Sequence, residues 1–531
     1  LKINHGIIND MKLISAEQMQ AMDRRAIDEL GLPGALLMEN AGRAAAVALV
    51  ADAQALFPGP VLVLAGAGNN GGDGYVVARI LQGWGWQVTT LVLAAESRIG
   101  GDAALMLRVL QRLGSTVIFT PEIQDLRTQL DLCTPRLVID ALLGTGLNTE
   151  VRGFYRDALE LVAQIDARVL ALDLPSGVNA SDGRVMGRAL KADQTLSFHH
   201  AKIGHGTRPG SDYVGDLKVL DIGIPYLLSP AETAEAEVVL LDPASARQLL
   251  PIRSARGHKG TFGHLTVVAG APGYTGAAVL TSQAGLRSGA GLTTLLSPPG
   301  LYPLMAQKLT EVMTRPLNAP GDCLTAEHCE EIMAFAAQTQ ALVVGPGLGR
   351  QPQTIDAVRH LLGQSTCPLV LDADALNALV GATELLTTLV DSVPVLTPHP
   401  GEFARLLGCS IADVEADRFR LARRFAVDFG VVLLLKGART LIADPLGRVR
   451  ISPSGNAGLA TAGSGDVLAG LIGGLLAQGL NSFDAASLGA WLHGSAADLL
   501  AAATGTAGLM ATDLLNKIPL ARFHLEGAQP C

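Results

Sequence analysis

The sequence predicts two α/β domains in series, and three observations carry that expectation. Short apolar runs of the kind buried in parallel sheets alternate with helix-length segments along the whole chain. Glycine-rich loops ending in aspartate occur twice, as GAGNNGGDG at residues 66–74 and as TAGSGD at residues 461–466. Sixty glycines are spread through the 531 residues, which fits many tight strand-to-helix loops rather than low complexity. A glycine loop that opens a helix brings backbone N–H groups close to phosphate oxygens, helped by the helix dipole. The chain is too long for one ordinary core, and its 49% hydrophobic content supplies two.

In chain order, Ser15 to Gln18 reads as a capping box opening a helix that runs towards Leu30. A second helix covers about residues 35–55. Residues 61–64 form a strand, the first glycine loop follows, and a helix runs from about 75 to 81. Residues 88–93 are the next strand, so the order is strand, loop, helix, strand. Strands at 137–142 and 169–172 lead into GTG at 144–146 and DLPSG at 173–177. Ligands of open parallel sheets collect beyond the carboxyl ends of the strands, so residues 69–73, 140–146 and 173–176 are candidates for one site. Residues 224–237 resemble a linker, with Pro225, Pro230 and small or acidic side chains. A second alternation starts near Val238, with strands at 264–269, 292–295, 341–344, 369–371, 393–396 and 431–435, and a helix at 277–287. The expected domains are 11–229 and 238–520. Residues 1–10 precede Met11 and read as a leader or an added segment.

Charge and cysteine content exclude several classes. A net charge of −9 disfavours nonspecific nucleic-acid binding. The six cysteines form no CxxC pair and read as reduced thiols of a cytoplasmic protein rather than a zinc site or a disulfide framework. The longest strongly apolar helix candidate, residues 467–476, is too short to span a bilayer, so no membrane partner is expected. A symmetric homo-oligomer is the default expectation. The histidines of FHHAKIGH at 198–205 include an adjacent pair, His199 and His200. On a strand these point to opposite faces, which argues against a shared metal.

The first loop is neither GxGxxG nor a Walker A loop, because the spacing differs and no GK[ST] follows. Asn and Asp offer oxygen ligands to a cation as well as turn chemistry, so Asn70 and Asp73 fit a tight turn equally well. Asp140 and Asp173 end apolar strands, where a helix N-cap is the bland alternative. In the second half, loops follow strands at 269–276, 344–349, 397–402 (TPHPGE) and 435–440 (LKGART). His399 could be a turn residue held by a backbone hydrogen bond, and Lys436 a solvated charge. TAGSGD is sharper. Its N–H groups at a helix start suit a transferring phosphoryl group, with Asp466 beside it to take a hydroxyl proton.

GAGNNGGDG, DALLGTG at 140–146 and LDLPSGV at 172–178 together resemble the NAD(P)H-hydrate epimerase domain over about residues 12–225. That resemblance implies a Rossmann-like three-layer domain acting on nicotinamide dinucleotides hydrated at C6. It implies that Asn70, Asp140 and Ser176 hold a potassium ion. The dinucleotide would be lined by Asn69, Asn70, Gly71, Gly72 and Asp73, and by Gly144, Thr145, Gly146, Leu147, Asn148, Thr149 and Glu150. Asp173 would be the acid/base that assists departure and return of the C6 hydroxyl. Asn40, in the helical segment LMENAG at 37–42, could approach the same site.

The loops of the second half are similar to the ribokinase-like superfamily. With HKGTFG at 258–263, TPHPGE and KGART they resemble its ADP-dependent NAD(P)H-hydrate dehydratase domain over about residues 240–520. The resemblance implies phosphorylation of the C6 hydroxyl of the S hydrate by ADP, loss of phosphate to regenerate NAD(P)H, and release of AMP. Ala278, Gly347 and His399 would meet the hydrate, with Asp466 as base. Lys436, Gly437, Ala438, Arg439, Thr440 and Gly465 would meet the nucleotide. Magnesium would bridge the nucleotide phosphates. Two rival readings stand beside this one: a ribokinase-like kinase of a small alcohol, and a first domain that binds a dinucleotide without catalysis.

Overall fold

The computed structural model describes residues 11–228, 237–364, 367–389 and 393–527, in two compact units that meet in sequence at residues 233 and 234. Residues 1–10 and most of the expected 224–237 linker lie outside the described residues.

The first unit is a parallel sheet in the order Thr116–Phe119, Val88–Val92, Val61–Ala65, Leu137–Ala141, Arg168–Leu172, Gln194–Phe198 and Asp216–Leu220. Every neighbouring pair in it is parallel. The order reverses between Val61–Ala65 and Leu137–Ala141, so the crevice at the carboxyl ends of these two strands is the natural ligand position. Both strands are buried throughout, as near-continuous apolar runs are when helices cover both faces, and Asp140 is the one charged side chain among them. Ser15 and Gln18 form the expected capping box on helix Ala16–Arg24. Helix Gly34–Ala53 packs Leu37, Met38, Ala41, Ala45, Ala46 and Leu49 into one core cluster. With its following turn it is long and apolar enough to cross a membrane by length and composition, a test that residues 467–476 did not meet.

The first glycine loop differs from expectation. The helix begins at Asn69 and runs to Gly83, so NNGGDG is its first turns and not a loop ahead of it. The glycines there serve close packing: a Cβ on Gly71 would lie 2.1 Å from the Gly66 carbonyl oxygen, and one on Gly74 would lie 2.7 Å from the Ala141 Cβ. The adjacent histidines also differ. The strand stops at Phe198, His199 has φ +63°, and the two rings meet edge to face with centroids 4.5 Å apart.

In the second unit the strand order is Met313–Pro316, Leu292–Ser297, His264–Val268, Ala341–Val344, Leu369–Leu371, Val395–Leu396, Val432–Leu435, Thr440–Ala443, Val449–Ser452 and Val238–Leu240. Pairing is parallel as far as Val432–Leu435, then antiparallel on both sides of Thr440–Ala443. Helix Ser464–Ala477 is buried along almost its whole length. It lies flush on helix Thr275–Arg287, where a Cβ on Gly470 would come 2.0 Å from the Thr281 carbonyl oxygen. Here too the helix takes in Gly465 and Asp466 instead of starting after them. The HKGTFG segment precedes strand His264–Val268, at the end of the sheet opposite the strands' carboxyl termini.

Candidate functional site

In the first unit the loops from the switch point surround a cavity of about 600 Å³. Asn69, Asn70 and Asp73 line it, as do Gly144, Thr145, Gly146, Leu147, Asn148, Thr149 and Asp173. Gly71 and Gly72 do not: they press on the Gly66 carbonyl and on Met38. Glu150 is also outside the lining and pairs with Arg152 at 2.7 Å on the surface. Asn40 donates to the Ile222 carbonyl at 3.0 Å, and it is Ile222 that reaches the cavity.

Asp173 follows strand Arg168–Leu172 with φ +62°, in the left-handed region that costs a non-glycine residue about 1–3 kcal/mol. The neighbours that hold it there are visible. The Asp173 N–H donates to the Leu196 carbonyl at 2.8 Å. His205 Nδ1 accepts from the Lys202 N–H at 2.9 Å, so its proton sits on Nε2 and is donated to the Asp173 carbonyl at 2.8 Å. Burial pushes His205 down to about 3, with Lys202 adding, which keeps this tautomer neutral. On the side chain, Oδ1 pairs with Lys202 Nζ and accepts from the Phe198 N–H at 3.2 Å. Lys202 is wholly buried. Its ammonium also donates to Ser197 Oγ at 3.0 Å and the Phe198 carbonyl at 2.9 Å, so three acceptors take its three protons.

Two further carboxyl groups face the cavity. Burial, with Asp173 and Asp23 adding, raises Asp73 well above the ordinary range. Burial likewise raises Asp23 to about 6.

Asp140, Ser176 and Asn70 are joined through the Leu143 carbonyl, which accepts from both Asn70 Nδ2 and Ser176 Oγ. Asp140 is buried and accepts from Ser176 Oγ at 2.6 Å, the Ser176 N–H at 2.8 Å and the Leu142 N–H at 3.2 Å. Burial raises its carboxyl despite those donors. Asn70 Nδ2 donates to the Leu143 carbonyl at 3.1 Å, while Asn70 Oδ1 is buried without a partner. A buried, unsatisfied amide oxygen, with a carboxyl group, a hydroxyl and a backbone carbonyl in the same hydrogen-bonded group, is a donor set that fits a hard monovalent cation. Among the described residues, no cluster of three His, Cys, Asp or Glu could hold a metal.

In the second unit the loops after successive parallel strands also converge. The Gly270 N–H donates to the Pro346 carbonyl at 2.9 Å, and the Gly349 N–H to Asp374 Oδ2 at 2.9 Å. Asp372 ends strand Leu369–Leu371, is buried, and accepts from Lys436 Nζ at 2.6 Å and Thr397 Oγ1 at 2.8 Å. Burial works against the Lys436 charge, but Asp372 and Glu402 outweigh it and hold the ammonium above its ordinary value. Lys436 to Thr440 form the turn between strands Val432–Leu435 and Thr440–Ala443. A Cβ on Gly465 would lie 3.0 Å from Lys436 Nζ, so the TAGSGD and KGART segments touch. Asp466 is half-buried; burial, then Asp372, raises it to about 7.

His399 is the N-cap of helix Pro400–Leu407: Nδ1 accepts from the Gly401 N–H at 3.0 Å, and its side chain remains half exposed. Gly347 packs against Tyr274 and Ala277. Ala278 is fully buried beneath Gly270.

Sequence reasoning missed Asp23, Lys202 and His205 in the first unit and Asp372, Asp374 and Glu402 in the second. Asp372 carried a readable signal, since it ends an apolar strand just as Asp140 and Asp173 do. Lys202 was hidden in a segment read only for its histidines.

A family profile described as "NAD(P)H-hydrate dehydratase" matches residues 265–520, and one described as "YjeF-related protein N-terminus" matches residues 34–204. The bifunctional NAD(P)H-hydrate repair enzyme Nnr of Moorella thermoacetica is 42% identical over 97% of both chains. That of Escherichia coli is 37% identical over 95% of this chain and 92% of its own. Among solved structures, an ADP/ATP-dependent NAD(P)H-hydrate dehydratase from Bacillus subtilis, co-crystallised with ATP/Mg2+, matches 54% of this chain and 98% of its own, at 29% identity and a TM-score of 0.46. With relatives this similar spanning both units, the chain belongs to the family of bifunctional NAD(P)H-hydrate repair enzymes, which epimerise the hydrates and dehydrate them with ADP or ATP.

Proposed function

We propose that the first unit interconverts the R and S hydrates of NADH and NADPH at C6, and that the second dehydrates the S hydrate with ADP, releasing AMP and phosphate. The observation that carries this reading is the convergence of three glycine- and aspartate-bearing loops on the Asp173 cavity. At C6 the ring nitrogen lone pair can expel the hydroxyl once that oxygen is protonated. Water returning to the opposite face inverts the carbon, and a carboxyl group at that position assists both steps. Asp173 is the group we assign there. Asn70 Oδ1, Asp140 and Ser176 would hold potassium beside it; the ion's charge would offset that of Asp140 and steady the 144–149 loop.

In the second unit, Asp466 would take the proton of the C6 hydroxyl as it is phosphorylated, and the N-terminus of helix Ser464–Ala477 would face the transferring group. Lys436 would neutralise nucleotide phosphate. Magnesium would arrive with the nucleotide, and Asp372, Glu402 and Asp466 are the carboxylates grouped with Lys436. Phosphate is a far better leaving group than hydroxide, so its departure and loss of the C5 proton restore the reduced nicotinamide.

The test is the whole chain with hydrated NADH and ADP. Recovery of reduced-nicotinamide absorbance with equimolar AMP is expected. In Asp466→Ala, AMP formation stops while epimerisation measured by separating the two hydrates continues. A chain that consumes ADP only with an unrelated alcohol, and leaves the hydrates intact, overturns the reading.

A further inference from the structure

We propose that Asp73 is a second acid–base catalyst of the first unit, protonating the departing C6 hydroxyl of one epimer while Asp173 receives a proton from the entering water. The proposal rests on the epimerase reading above and adds a division of labour to it. Inversion at C6 removes oxygen from one face of the ring and adds it to the other. A group on each side serves both faces without moving.

The two carboxyl groups reach the cavity from different places. Asp73 comes from helix Asn69–Gly83, which follows strand Val61–Ala65, and Asp173 from the end of strand Arg168–Leu172. Strand Leu137–Ala141 lies between those two strands in the sheet. Their surroundings are opposite in kind. Asp173 Oδ1 is occupied by Lys202 and the Phe198 N–H. Asp73 is 9% exposed, lines the cavity, and its side chain makes no hydrogen bond or ion pair with any described residue. Lys202 cannot supply one, because its three donors are engaged by Asp173, Ser197 and Phe198. Burial disfavours the charged form of a carboxyl group with no partner, and together with Asp173 and Asp23 it raises Asp73 well above the ordinary range. Two carboxyl groups at one cavity, one held by donors and one without them, can take different roles in a proton transfer. Asp23, Arg98, Asp102 and Tyr155 are the other titratable groups lining the cavity. Of these, Asp23 is the one that adds to the raised value of Asp73.

The step balances. The Asp73 proton passes to the C6 oxygen, the C6–O bond breaks with its electron pair, and water leaves. The nitrogen lone pair forms the N1–C6 double bond. Water then attacks C6 from the other face, the double-bond pair returns to nitrogen, and the water proton goes to Asp173. The other epimer is converted by the same path in reverse, with Asp173 as acid and Asp73 as base.

The experiment uses the full chain without ADP, so that only epimerisation is observed. Asp73→Asn keeps the shape and neutrality of the native group and lacks only the transferable proton. Its kcat is expected to fall about a hundredfold or more, with KM changed less than threefold, and the alkaline limb of the wild-type pH–rate profile is expected to vanish. As a readout independent of activity, the infrared difference spectrum of wild type minus variant at pH 7 is expected to contain a protonated-carboxyl band. A variant within threefold of wild-type kcat, or a spectrum without that band, overturns the proposal alone. A wild-type chain that leaves the epimers untouched removes the epimerase reading and the proposal with it.

Discussion

Replacing Asp466 with asparagine is expected to stabilise the second unit at alkaline pH while abolishing its chemistry. Burial and Asp372 raise the Asp466 carboxyl to about 7, against an ordinary value of 3.8. The folded value lies above the unfolded one. Below pH 3.8 both states are protonated and the site costs nothing. As pH rises from about 4 to about 7 the unfolded carboxyl ionises first, and the native state loses about 1.4 kcal/mol per pH unit. Above pH 7 the loss is constant at roughly 4 kcal/mol, which partial solvent access of a half-buried group reduces to about 2–4 kcal/mol. Asparagine cannot ionise, so the variant recovers this at pH 8 and nothing at pH 4. For a unit of this size the gain corresponds to roughly 5–10 °C in Tm. Thermal unfolding of wild type and variant measures it, taking the transition that ADP shifts upward as that of the second unit. The same carboxyl, acting as base, predicts that wild-type kcat/KM for dehydration climbs about tenfold per pH unit below about 7 and levels above. A variant no more stable than wild type at pH 8, or a flat profile between pH 5.5 and 7, refutes the reasoning.

Gly465→Ala places a Cβ 3.0 Å from Lys436 Nζ, whose position is fixed by Asp372. The expected result is a KM for ADP raised tenfold or more, with epimerisation unchanged. An unaltered KM would separate Lys436 from nucleotide binding. For the cation site, potassium is expected to raise the Tm of the transition that ADP does not shift. Asp140→Asn, which removes the carboxyl group from the set shared with Ser176 and Asn70, is expected to abolish that dependence. Equal potassium responses in the two proteins would show that the ion binds elsewhere.

Most of the architecture was legible because apolar strands and glycine loops announce parallel α/β sheets. The strands at 61–64, 137–142, 169–172 and 341–344 were read to within one residue of their observed bounds. What the sequence concealed was the register of the glycines. Gly71, Gly74 and Gly465 read as loop formers, yet they sit inside helix starts where a side chain would strike the Gly66 carbonyl, Ala141 or Lys436. Close packing and loop freedom select the same residue, so local pattern cannot separate them. The sites divided in a similar way. Strand-end aspartates such as Asp173 could be proposed from position alone, whereas Lys202 and Asp23 acquire meaning only when distant segments fold onto one cavity. His399 satisfied both of its readings, capping a helix through Nδ1 while half its side chain stays exposed.

The two units reach the same electrostatic arrangement by unrelated sequences. Each pins a lysine to an aspartate at a strand end, the wholly buried Lys202 to Asp173 and the partly exposed Lys436 to Asp372. Each then carries a second, raised carboxyl in the first turns of a glycine-bearing helix, Asp73 and Asp466. A helix N-terminus favours the ionised form of such a group by about 0.3–2 kcal/mol. Raising Asp466 to about 7 requires roughly 4 kcal/mol in the other direction, so burial outweighs the dipole. That balance holds only while the lysine is engaged elsewhere. A free ammonium in the same space would pair with the raised carboxyl, ionise it, and leave no exchangeable proton near pH 7. The strand-end aspartate therefore has a role apart from any contact with substrate: by occupying the lysine, it keeps the second carboxyl raised.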